Sequence, residues 1–330
     1  MKSRYFHFKR LGGPEVLELA EETIGEPGPG EIRVRHEAVG LNFTDINLRR
    51  GDHPEPPVFP HRIGQEAAGI VDAVGAGVGG FAPGDRVAYA FRPPAAYCEA
   101  RLIDADKAVP VPDWVSLEAA AASLLKGITA EFLTHRAHDV RPGENVVFYA
   151  AAGGVGQIAC RWLVARGANL IPVVGSRHKA QIVRDVTGCS RVLVMGEDDI
   201  VAAVREMTDG AMADVVYDSL GAVSFDTSLA CLRRRGLLVA FGAASGQIAP
   251  VAPIRLAVEG SLFMTWARIG DYTATRDELL QSAQRVFEAA RDGTIRLDPA
   301  QVFSFDDAVG AHAALESGRL TGASVLRLGR

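Results

Sequence analysis

The sequence predicts an α/β protein that contains a doubly wound parallel sheet and a second, β-rich domain. Three observations support this fold class. A strand, a glycine turn, a helix and a second strand follow one another between Asn145 and Gly175, strands and helices keep alternating as far as residue 265, and residues 1–115 form short β-type runs between Pro and Gly turns. Alternating strands and helices are typical of parallel sheets, whereas short strands between turns are typical of barrels and sandwiches.

The central unit has a strand at each end. Residues 145–150 are mainly Val, Phe and Tyr, as in a strand that is buried on both faces. The helix that follows carries apolar residues at helical spacing, which predicts that one face packs on the sheet. These residues are Val155, Ile158, Ala159, Trp162 and Leu163. Gly167 ends the helix, and Asn169 to Val174 is the second strand.

A glycine-rich turn joins the first strand to the helix. Its glycines are Gly153, Gly154 and Gly156, and Ala151 stands where the usual fingerprint has its first glycine. Glycines at such a turn let phosphate oxygens approach the backbone at the positive end of a helix. Between a strand and a helix the pattern predicts a dinucleotide-binding site, and the alternative is an ordinary structural turn.

The residues after the second strand indicate which dinucleotide binds. An acidic residue about twenty positions after the loop would hold an unmodified ribose 2′-hydroxyl. The sequence there is instead Gly175, Ser176, Arg177, His178 and Lys179. A hydroxyl followed by cations suits a 2′-phosphate, so NADPH is predicted rather than NADH. The alternative is that Arg177 and Lys179 are solvated residues at the start of the next helix.

Length and composition describe an ordinary globular protein of about two domains. The 330 residues are 48% hydrophobic and 23% charged, and the net charge is −5. This charge gives no reason to expect nucleic acid or an anionic membrane surface as a partner. The first ten residues lack an apolar secretory core, and no apolar run of about 18 residues is present. We therefore expect a cytoplasmic protein without a membrane partner.

The four cysteines predict neither a metal knuckle nor a disulfide framework, because they are far apart in the sequence. They are Cys98, Cys160, Cys189 and Cys231. We expect them to be reduced and structural.

The pattern of predicted strands, helices and turns divides the chain into three segments. Residues 1–120 form the β-rich domain, with strands at Ile32–Val39, Ala67–Val74, Asp85–Ala90 and Ala95–Leu102. Residues 121–265 form the dinucleotide domain, whose six parallel strands include Arg191–Val194, Asp214–Tyr217, Gly236–Phe241 and Ser261–Thr265. Residues 266–330 contain a helix with a capping box of Thr275 and Glu278 and a stop at Gly293, and we expect this segment to return to the first domain.

Six short motifs extend in order over nearly the whole chain. They are Gly40-Leu41-Asn42-Phe43-Thr44-Asp45, Gly64-Gln65-Glu66-Ala67-Ala68-Gly69, Leu125-Lys126-Gly127, Ala150 to Gly156, Val216-Tyr217-Asp218-Ser219 and Phe241-Gly242. Together they resemble the medium-chain dehydrogenase/reductase superfamily, and within it the zinc-free quinone oxidoreductase, or zeta-crystallin-like, family. The resemblance implies a Rossmann domain that binds NADPH, a GroES-like catalytic domain and NADPH:quinone oxidoreductase activity.

No metal site is predicted. Zinc-dependent relatives carry Cys and His where this sequence has Asn42 and Gln65, and only Glu66 remains of that set. An amide is a poor zinc ligand compared with a thiolate or an imidazole. The relatives' structural zinc needs four close cysteines, whereas Cys98 is alone in that region. A substitute site is the alternative, but its candidate residues follow no motif; they are His36, His53 and His61.

The expected reaction follows from the predicted lack of a metal. Alcohol oxidation is hard when no Lewis acid lowers the pKa of the alcohol. A quinone or an α,β-unsaturated carbonyl accepts hydride directly, and needs aligned rings and hydrogen bonds to the developing oxyanion. Two acceptor classes stay open, a quinone on the one hand and an enone or enoyl thioester on the other. A hypothesis of another class is a crystallin-like protein that binds NADPH or RNA without turnover.

The resemblance places the reactive end of NADPH near Asn42, Gln65, Lys126 and Thr129. Asn42 is the first choice as a hydrogen-bond donor, and the alternative is that it only closes a turn. Asn47 and His53 stand where bacterial quinone reductases often have two tyrosines, and we assign them catalytic roles together with Asn42 and Gln65. His53 suits proton transfer because the pKa of histidine lies near neutrality. The alternative is an exposed histidine in a proline-rich loop.

Further cofactor contacts are implied along the chain. They are Ala152, Gly153, Gly154, Val155, Gly156, Gly175, Ser176, Arg177, Lys179, Ser219, Phe241, Gly242, Ser245, Phe263, Thr265 and Arg319. Met195 stands where a tyrosine near the adenosine phosphate is expected. An enoyl-CoA substrate would need a cationic entrance, for which the candidates are Arg49, Arg50, Arg62 and Arg92.

A homodimer is predicted from the hydrophobic segment Gly236 to Ser245. In the family, the strand at the far edge of the nucleotide domain pairs with its mate across a two-fold axis. The alternative is that this strand is capped by the residues that follow it, Gly246 to Pro253.

Overall fold

The computed structural model describes residues 1–91 and 93–329 and consists of two compact units. Unit 1 comprises Met1–Lys126, Thr273–Glu288 and the chain from Leu297 onward, and unit 2 comprises Gly127–Tyr272 and Ala289–Arg296. The chain thus passes from unit 1 to unit 2 after residue 126 and returns to unit 1 for the first time after residue 272. The sequence predicted these two boundaries after residues 120 and 265.

The strands and helices follow one another along both units. In chain order the strands are β1 (Lys2–Phe8), β2 (Glu18–Thr23), β3 (Glu31–Leu41), β4 (His61–Arg62), β5 (Glu66–Val74), β6 (Arg86–Ala90), β7 (Ala100–Asp104), β8 (Val109–Pro110), β9 (Asn145–Tyr149), β10 (Asn169–Val174), β11 (Leu193–Val194), β12 (Ala213–Asp218), β13 (Leu232–Ala240), β14 (Phe263–Trp266), β15 (Gln301–Ser304) and β16 (Ser324–Arg327). The helices are α1 (Phe43–Arg50), α2 (Leu117–Phe132), α3 (Gly154–Ala165), α4 (Arg177–Thr187), α5 (Ile200–Met207), α6 (Phe225–Ala230), α7 (Pro253–Val258), α8 (Ile269–Tyr272), α9 (Arg276–Arg291) and α10 (Ala308–Glu316).

Unit 1 is built from two sheets. The smaller has the order β2-β1-β4, and the larger has the order β15-β16-β3-β5-β6-β8, with β7 also paired to β3. The C-terminal strand β16 runs antiparallel to β3. Phe6 and Phe305 are buried in one core, with their ring centroids 5.2 Å apart. The C-terminal segment is therefore part of the same sheet and core as the N-terminal strands.

The strand predicted at Ala95–Leu102 is wrong in its first half, because β7 begins only at Ala100. Before it, the Tyr97 N–H donates to the Ile63 carbonyl oxygen at 3.0 Å, and the Tyr97 carbonyl accepts from the Phe6 N–H at 2.9 Å. These residues therefore bond to two separate segments and do not form one ladder.

Unit 2 contains the predicted six parallel strands, in the order β11-β10-β9-β12-β13-β14. The predicted strand Asn169–Val174 coincides with β10. The prediction at Arg191–Val194 was too long, since β11 is a two-residue edge strand, and edge strands are often short. β13 begins earlier than predicted, at Leu232. Its pairing with β12 shifts register between Leu232 and Leu237, and Arg235 in this interval has φ 59°.

The far edge of this sheet is β14, so the segment Gly236–Ser245 does not provide it. β13 pairs with β12 on one side and with β14 on the other. A further parallel strand therefore covers the strand that the sequence placed at the edge.

Helix α9 has the predicted capping box. The Thr275 N–H donates to Glu278 Oε2 at 3.0 Å, and the Glu278 N–H donates to Thr275 Oγ1 at 3.2 Å. The helix ends at Arg291, and Gly293 follows with φ 85°. The reciprocal bonds satisfy N–H groups that lack intrahelical partners.

Candidate functional site

The glycine turn of unit 2 lies where the strand order of the sheet reverses. β9 has β10 on one side and β12 on the other, and ligands of open α/β sheets bind at such a switch point. Ala150 turns the chain with φ 53° after β9, and Gly153 is the N-cap of α3. Because Gly153 has no side chain, no side-chain oxygen caps the helix from that position. The first turn of α3, with the predicted contacts Ala152, Gly154 and Val155, is therefore suited to an anionic group.

Gly156 has a packing role in this turn. A Cβ at this position would lie 2.3 Å from the Ala150 carbonyl oxygen, whereas a Cβ on Gly153 would lie 3.2 Å from the same atom. The backbone oxygen cannot move away as a flexible side chain could. Gly156 therefore allows α3 to approach the end of β9 closely, as the third glycine of the fingerprint does.

The cationic segment after β10 is held by a helix cap and by an ion pair with a more distant residue. Ser176 is the N-cap of α4 and accepts from the Lys179 N–H at 3.4 Å. Arg177 is exposed, and its Nε lies 2.5 Å from Glu197 Oε2. Burial lowers the pKa of Lys179, and no acidic group is among the causes of this shift. The Glu197 partner of Arg177 was missed by the sequence analysis, because no local pattern connects residues twenty positions apart.

Two loops beyond β12 and β13 hold several of the predicted contacts together. The Ser219 carbonyl accepts from the Ala244 N–H at 3.1 Å, and Ser245 Oγ donates to the Leu220 carbonyl at 2.7 Å. A Cβ on Gly242 would lie 2.8 Å from the Ser219 carbonyl oxygen, so the loops touch backbone to backbone. The fold thus brings Ser219, Gly242 and Ser245 to one end of the sheet, next to Phe241.

Asp218, the last residue of β12, organises the first of these loops. Its fully buried carboxylate accepts from Ser224 Oγ at 2.7 Å, from Ser228 Oγ at 2.6 Å and from the Leu220 N–H at 2.8 Å. The donors lie on the loop and on α6. Asp218 therefore fixes the path of the chain after β12, a role that the sequence analysis did not assign.

A cavity of about 290 Å³ opens beside this loop in unit 2. Its lining residues lie at the end of β9, after β11 and β12, and on α5 and α6: Tyr149, Met195, Gly196, Asp198, Asp199, Ile200, Val201, Ser224 and Thr227. Met195 was singled out from the sequence, but the other lining residues were not. Their contribution depends on the parallel arrangement of β9, β11 and β12, which brings distant loops to one sheet end.

In unit 1, Asn42, Glu66 and Lys126 form a buried cluster. Glu66 Oε2 accepts from Asn42 Nδ2 at 3.0 Å and lies 2.9 Å from Lys126 Nζ, and Oε1 accepts from the Leu125 N–H at 2.7 Å. Glu66 is fully buried, and Asn42 and Lys126 are 6% and 5% exposed. A buried carboxylate needs such donors and a counterion to remain charged. The predicted residues Asn42 and Lys126 are thus brought together by Glu66.

Gly40 leaves space for this cluster. A Cβ at Gly40 would lie 2.3 Å from Glu66 Oε2 and 2.4 Å from the Ala121 carbonyl oxygen of α2. α2 can therefore lie directly against β3, which places Leu125 and Lys126 within reach of the carboxylate.

The other predicted catalytic residues lie around α1 and β5. Gln65 precedes β5 and is 6% exposed. Asn47 lies in α1 and is partly exposed, and its carbonyl accepts from the N–H groups of Asp52 and His53. His53 Nδ1 accepts from the Glu55 N–H at 3.1 Å within its own loop. The same nitrogen lies 3.2 Å from the Glu55 carbonyl oxygen, so the ring is held within this loop.

Four further predicted cofactor contacts lie on α2, on β14 and in the turn after α10. Thr129 is a buried residue of α2 in unit 2, and Arg319 is an exposed residue in the turn after α10 of unit 1. Phe263 and Thr265 lie on the edge strand β14, and Phe263 is 61% exposed.

Three of the four arginines considered for a cationic CoA entrance are buried or paired with acidic residues. Arg49 is fully buried, so it was wrongly placed at a surface. Arg62 lies 2.7 Å from Glu22 and stacks on the Tyr5 ring at 4.2 Å. Arg50 lies 3.1 Å from Asp52, and Arg92 lies outside the described residues.

Comparison with known proteins identifies the family. The alcohol dehydrogenase GroES-like domain family matches residues 28–162, and the zinc-binding dehydrogenase family matches residues 154–281. The chain is 44% identical over 324 residues to a quinone oxidoreductase of Salmonella typhimurium, which covers 97% of this chain and 98% of the relative. The chain belongs to the quinone oxidoreductase family of medium-chain dehydrogenases/reductases. It is therefore an oxidoreductase, as the motifs implied.

Two more members of this family are informative. A solved structure of Escherichia coli quinone oxidoreductase complexed with NADPH superposes with a TM-score of 0.95 at 42% identity, over 98% of this chain and 99% of that one. A 2-haloacrylate reductase of a Burkholderia species is 38% identical over 96% of each chain. The predicted fold, a Rossmann sheet with a GroES-like domain, is confirmed by these matches. Among the described residues, the structure has no helix with both the length and the apolar character needed to span a membrane.

Proposed function

We propose that the protein is an NADPH:quinone oxidoreductase that works without zinc. The observation that carries this proposal is the helix cradle at Gly153–Gly156, at the switch point of a parallel sheet, in a chain whose full-length relatives include quinone oxidoreductases at 42–44% identity. When bound, NADPH supplies the hydride. The protein's own residues then have to bind its phosphates, orient the acceptor and stabilise charge on the acceptor oxygen.

The 2′-phosphate would be held at the start of α4. Ser176, Arg177 and Lys179 supply a hydroxyl and two cations there, and Lys179 is half-buried, which strengthens its attraction to an anion. Arg177 would share its charge between Glu197 and the phosphate. The alternative, that both cations are only solvated residues, predicts equal affinity for NADPH and NADH.

Titration calorimetry with both cofactors tests this assignment. We expect Lys179→Ala to weaken NADPH binding by about tenfold or more while leaving NADH binding nearly unchanged, since one charge-assisted bond is worth about 1.5–3 kcal/mol. Arg191→Ala is the matched control, because Arg191 is a partly exposed arginine in the same unit, 2.7 Å from Glu206. Equal affinity of the unmodified protein for NADPH and NADH would contradict the proposal.

The zinc-independent chemistry is proposed from the donors around Glu66. Asn42 Nδ2 and Lys126 Nζ both direct hydrogens at this carboxylate, and groups that donate hydrogens there are not oriented as metal ligands. Among residues 1–91 and 93–329, no group of three or more His, Cys, Asp or Glu side chains is placed to hold a metal. Metal analysis of the purified protein tests this, and stoichiometric zinc that turnover requires would overturn it.

Asn42 is proposed to hydrogen-bond to the reacting molecules. Its amide nitrogen donates to Glu66 Oε2 at 3.0 Å and to the Gly40 carbonyl oxygen at 3.5 Å, so the amide group has a fixed orientation. Asn42→Ala should lower kcat by about 10–100-fold, as expected for the loss of one hydrogen bond worth about 1–3 kcal/mol, while the melting temperature changes little. Asn42 is also the N-cap of α1. If Asn42→Ala lowers the melting temperature as strongly as it lowers turnover, the alternative that Asn42 only caps this helix is favoured. Gln65, Asn47 and His53 stay candidates for contacts with the acceptor.

A second acceptor class is favoured by one specific relative. The 2-haloacrylate reductase shares the full length of the chain, so an electron-poor alkene is a candidate substrate. Initial rates of NADPH oxidation with quinones, enones, 2-haloacrylates and enoyl-CoA thioesters separate the classes. Turnover with quinones supports the first proposal, turnover restricted to alkenes supports the second, and tight NADPH binding without turnover supports a binding protein.

We also propose that the protein forms a homodimer through the edge of the sheet in unit 2. β14 has one neighbouring strand, β13, in the described part of the sheet. Apolar side chains are exposed on β14 and α7: Phe263 is 61%, Ile254 69% and Val258 80% exposed. A second copy would pair with the open edge and cover these side chains. Phe263→Glu should convert a dimer to a monomer in light scattering; an unmodified protein that is monomeric at micromolar concentration would refute the dimer.

A cytoplasmic location is proposed from the cysteines. All four are free thiols, and three of them, Cys98, Cys160 and Cys231, are buried. Thiols that persist unpaired are typical of a reducing compartment. Fractionation of the native cells with an antibody against the protein tests the location.

A further inference from the structure

A buried line of polar side chains in unit 1 ends at the N-terminus of α1. Asp45 lies in the first turn of this helix and is fully buried. Its Oδ2 accepts from the Asn42 N–H at 3.1 Å and from Tyr97 Oη at 3.3 Å. Its Oδ1 has no hydrogen-bond partner within residues 1–91 and 93–329. The bond to the Asn42 N–H closes the capping box of α1, and the bond from Tyr97 is made in addition to it.

The line continues from Tyr97 to α10. His312 Nε2 lies 3.1 Å from Tyr97 Oη, and Arg49 Nε lies 3.4 Å from His312 Nδ1. A guanidinium can only donate, so Nδ1 accepts and the ring proton is on Nε2. Nε2 then donates to Tyr97, and the hydroxyl proton of Tyr97 is left for Asp45. Every hydrogen along the line is therefore directed at the Asp45 carboxyl.

Arg49 anchors the far end of this line. It is fully buried, its Nη2 lies 2.7 Å from Glu316 Oε1, and its Nη1 donates to the Gly12 carbonyl oxygen. Burial and the charge of Arg49 lower the pKa of His312 to about 3, so this ring is neutral at physiological pH. The arrangement connects α1 rigidly to α10.

We propose that Asp45 is a positioning residue for Asn42, supported by Tyr97, His312 and Arg49, and that its ionised form gives the more active enzyme. The inference rests on the proposed function, in which Asn42 hydrogen-bonds to the reacting molecules. Asp45 holds the backbone N–H of Asn42, and Glu66 holds its amide nitrogen. Two carboxyl groups thus hold one residue, Asp45 at its backbone and Glu66 at its side chain. Charge-assisted hydrogen bonds are roughly twice as strong as neutral ones, so ionisation of Asp45 tightens the hold on Asn42.

The Asp45 carboxyl changes its charge near neutral pH. Burial raises the pKa of Asp45 from 3.8 to about 7, against the opposing effects of the Asn42 N–H, Lys126 and Tyr97, while Glu66 raises it further. Because the folded protein holds the proton more tightly than the unfolded chain, this group contributes stability below pH 4 that is lost as the pH rises through 7. Activity should rise over the same interval. The signature of this inference is that activity rises while the contribution of Asp45 to stability, measured as the difference between the unmodified protein and Asp45→Asn, falls.

The test compares four proteins: the unmodified protein, Asp45→Asn, Tyr97→Phe and Tyr89→Phe. Quinone-dependent kcat and KM are measured from pH 5.5 to 8.5, and urea unfolding from pH 4 to 8. Asp45→Asn keeps an oxygen for the same two donors but cannot ionise, so both pH dependences near 7 should disappear. Tyr97→Phe removes one donor to the carboxylate and should raise the midpoint by about 0.5–1 pH unit.

Tyr89→Phe is the matched control. Tyr89 is also fully buried, and its hydroxyl lies 3.0 Å from Nε2 of another buried histidine, His36, but it makes no contact of this kind with Asp45. Tyr89→Phe should leave the midpoint of the pH dependence of kcat unchanged, whatever its effect on stability. The inference is overturned if Asp45→Asn retains the inflection in kcat, or if Tyr89→Phe and Tyr97→Phe shift it equally. Absence of quinone turnover in the unmodified protein would instead refute the proposed function.

Discussion

Glu66→Gln is expected to destabilise unit 1 strongly. The carboxylate of Glu66 is fully buried and accepts from the Leu125 N–H, from Asn42 and from Lys126. A glutamine in the same place offers one oxygen, and its NH₂ group faces at least one of these donors. Lys126 is then left 5% exposed without its counterion. Removal of one partner of a buried ion pair costs about 3–5 kcal/mol, so we expect a loss of this size in the free energy of unfolding.

A double-mutant cycle measured by urea unfolding tests this value. Glu66→Gln and Lys126→Met should each be costly, while the double variant should cost at least about 2 kcal/mol less than their sum, because neither charge is then left alone. Glu118→Gln is the control: its partner Arg327 is 55% exposed and the Glu118 side chain 30% exposed, so it should cost less than about 1 kcal/mol. If Glu66→Gln lowers the free energy of unfolding by no more than this control does, the buried ion pair of Glu66 and Lys126 does not stabilise unit 1.

Three further outcomes follow from the structure. Gly156→Ala should lower the free energy of unfolding by about 1–3 kcal/mol and abolish NADPH binding in calorimetry, because its Cβ would lie 2.3 Å from a backbone oxygen. The control is Gly270→Ala, whose Cβ would meet nothing within 4 Å. This control should change neither the stability nor NADPH binding. Asp218→Ala should cost about 2–4 kcal/mol in urea unfolding, since several buried donors lose their acceptor, whereas Asp226→Ala at a side chain that is 81% exposed should cost under about 1 kcal/mol. Burial lowers the pKa of His36 to about 4, so the contribution of His36 to stability should fall as the pH drops from 6.5 to 4. His36→Gln should remove this contribution in acid titrations followed by fluorescence, when compared with the unmodified protein.

The sequence was most informative where local chemistry decides the structure. Gly153 and Gly156, the strand Asn169–Val174 and the capping box of Thr275 and Glu278 were all predictable, because each depends on the residue types within a few positions. The six parallel strands followed from the same local patterns. Their order in the sheet did not, which is why β13 was assigned to an edge that β14 forms.

The contacts of the candidate site were less predictable because they join distant residues. Nothing near Arg177 in the sequence indicates Glu197, and nothing near Asp45 indicates Tyr97 or His312. Arg49 was counted as a surface cation because arginine is usually exposed, but a partner 267 positions later, Glu316, accompanies it into the interior. Such pairings require the fold, since periodicity and motif spacing describe only neighbouring residues.

The way in which unit 1 is divided along the chain bears on how the protein is made. Phe132 and Tyr272, close to the two ends of the main segment of unit 2, stack with ring centroids 4.4 Å apart, and that segment is complete once residue 272 has been synthesised. Unit 1 has to wait for β16 and Phe305, which come from the last 26 residues. On the ribosome, the nucleotide-binding half should therefore fold first, and the half that contains Asn42 should remain open until β16 has been synthesised.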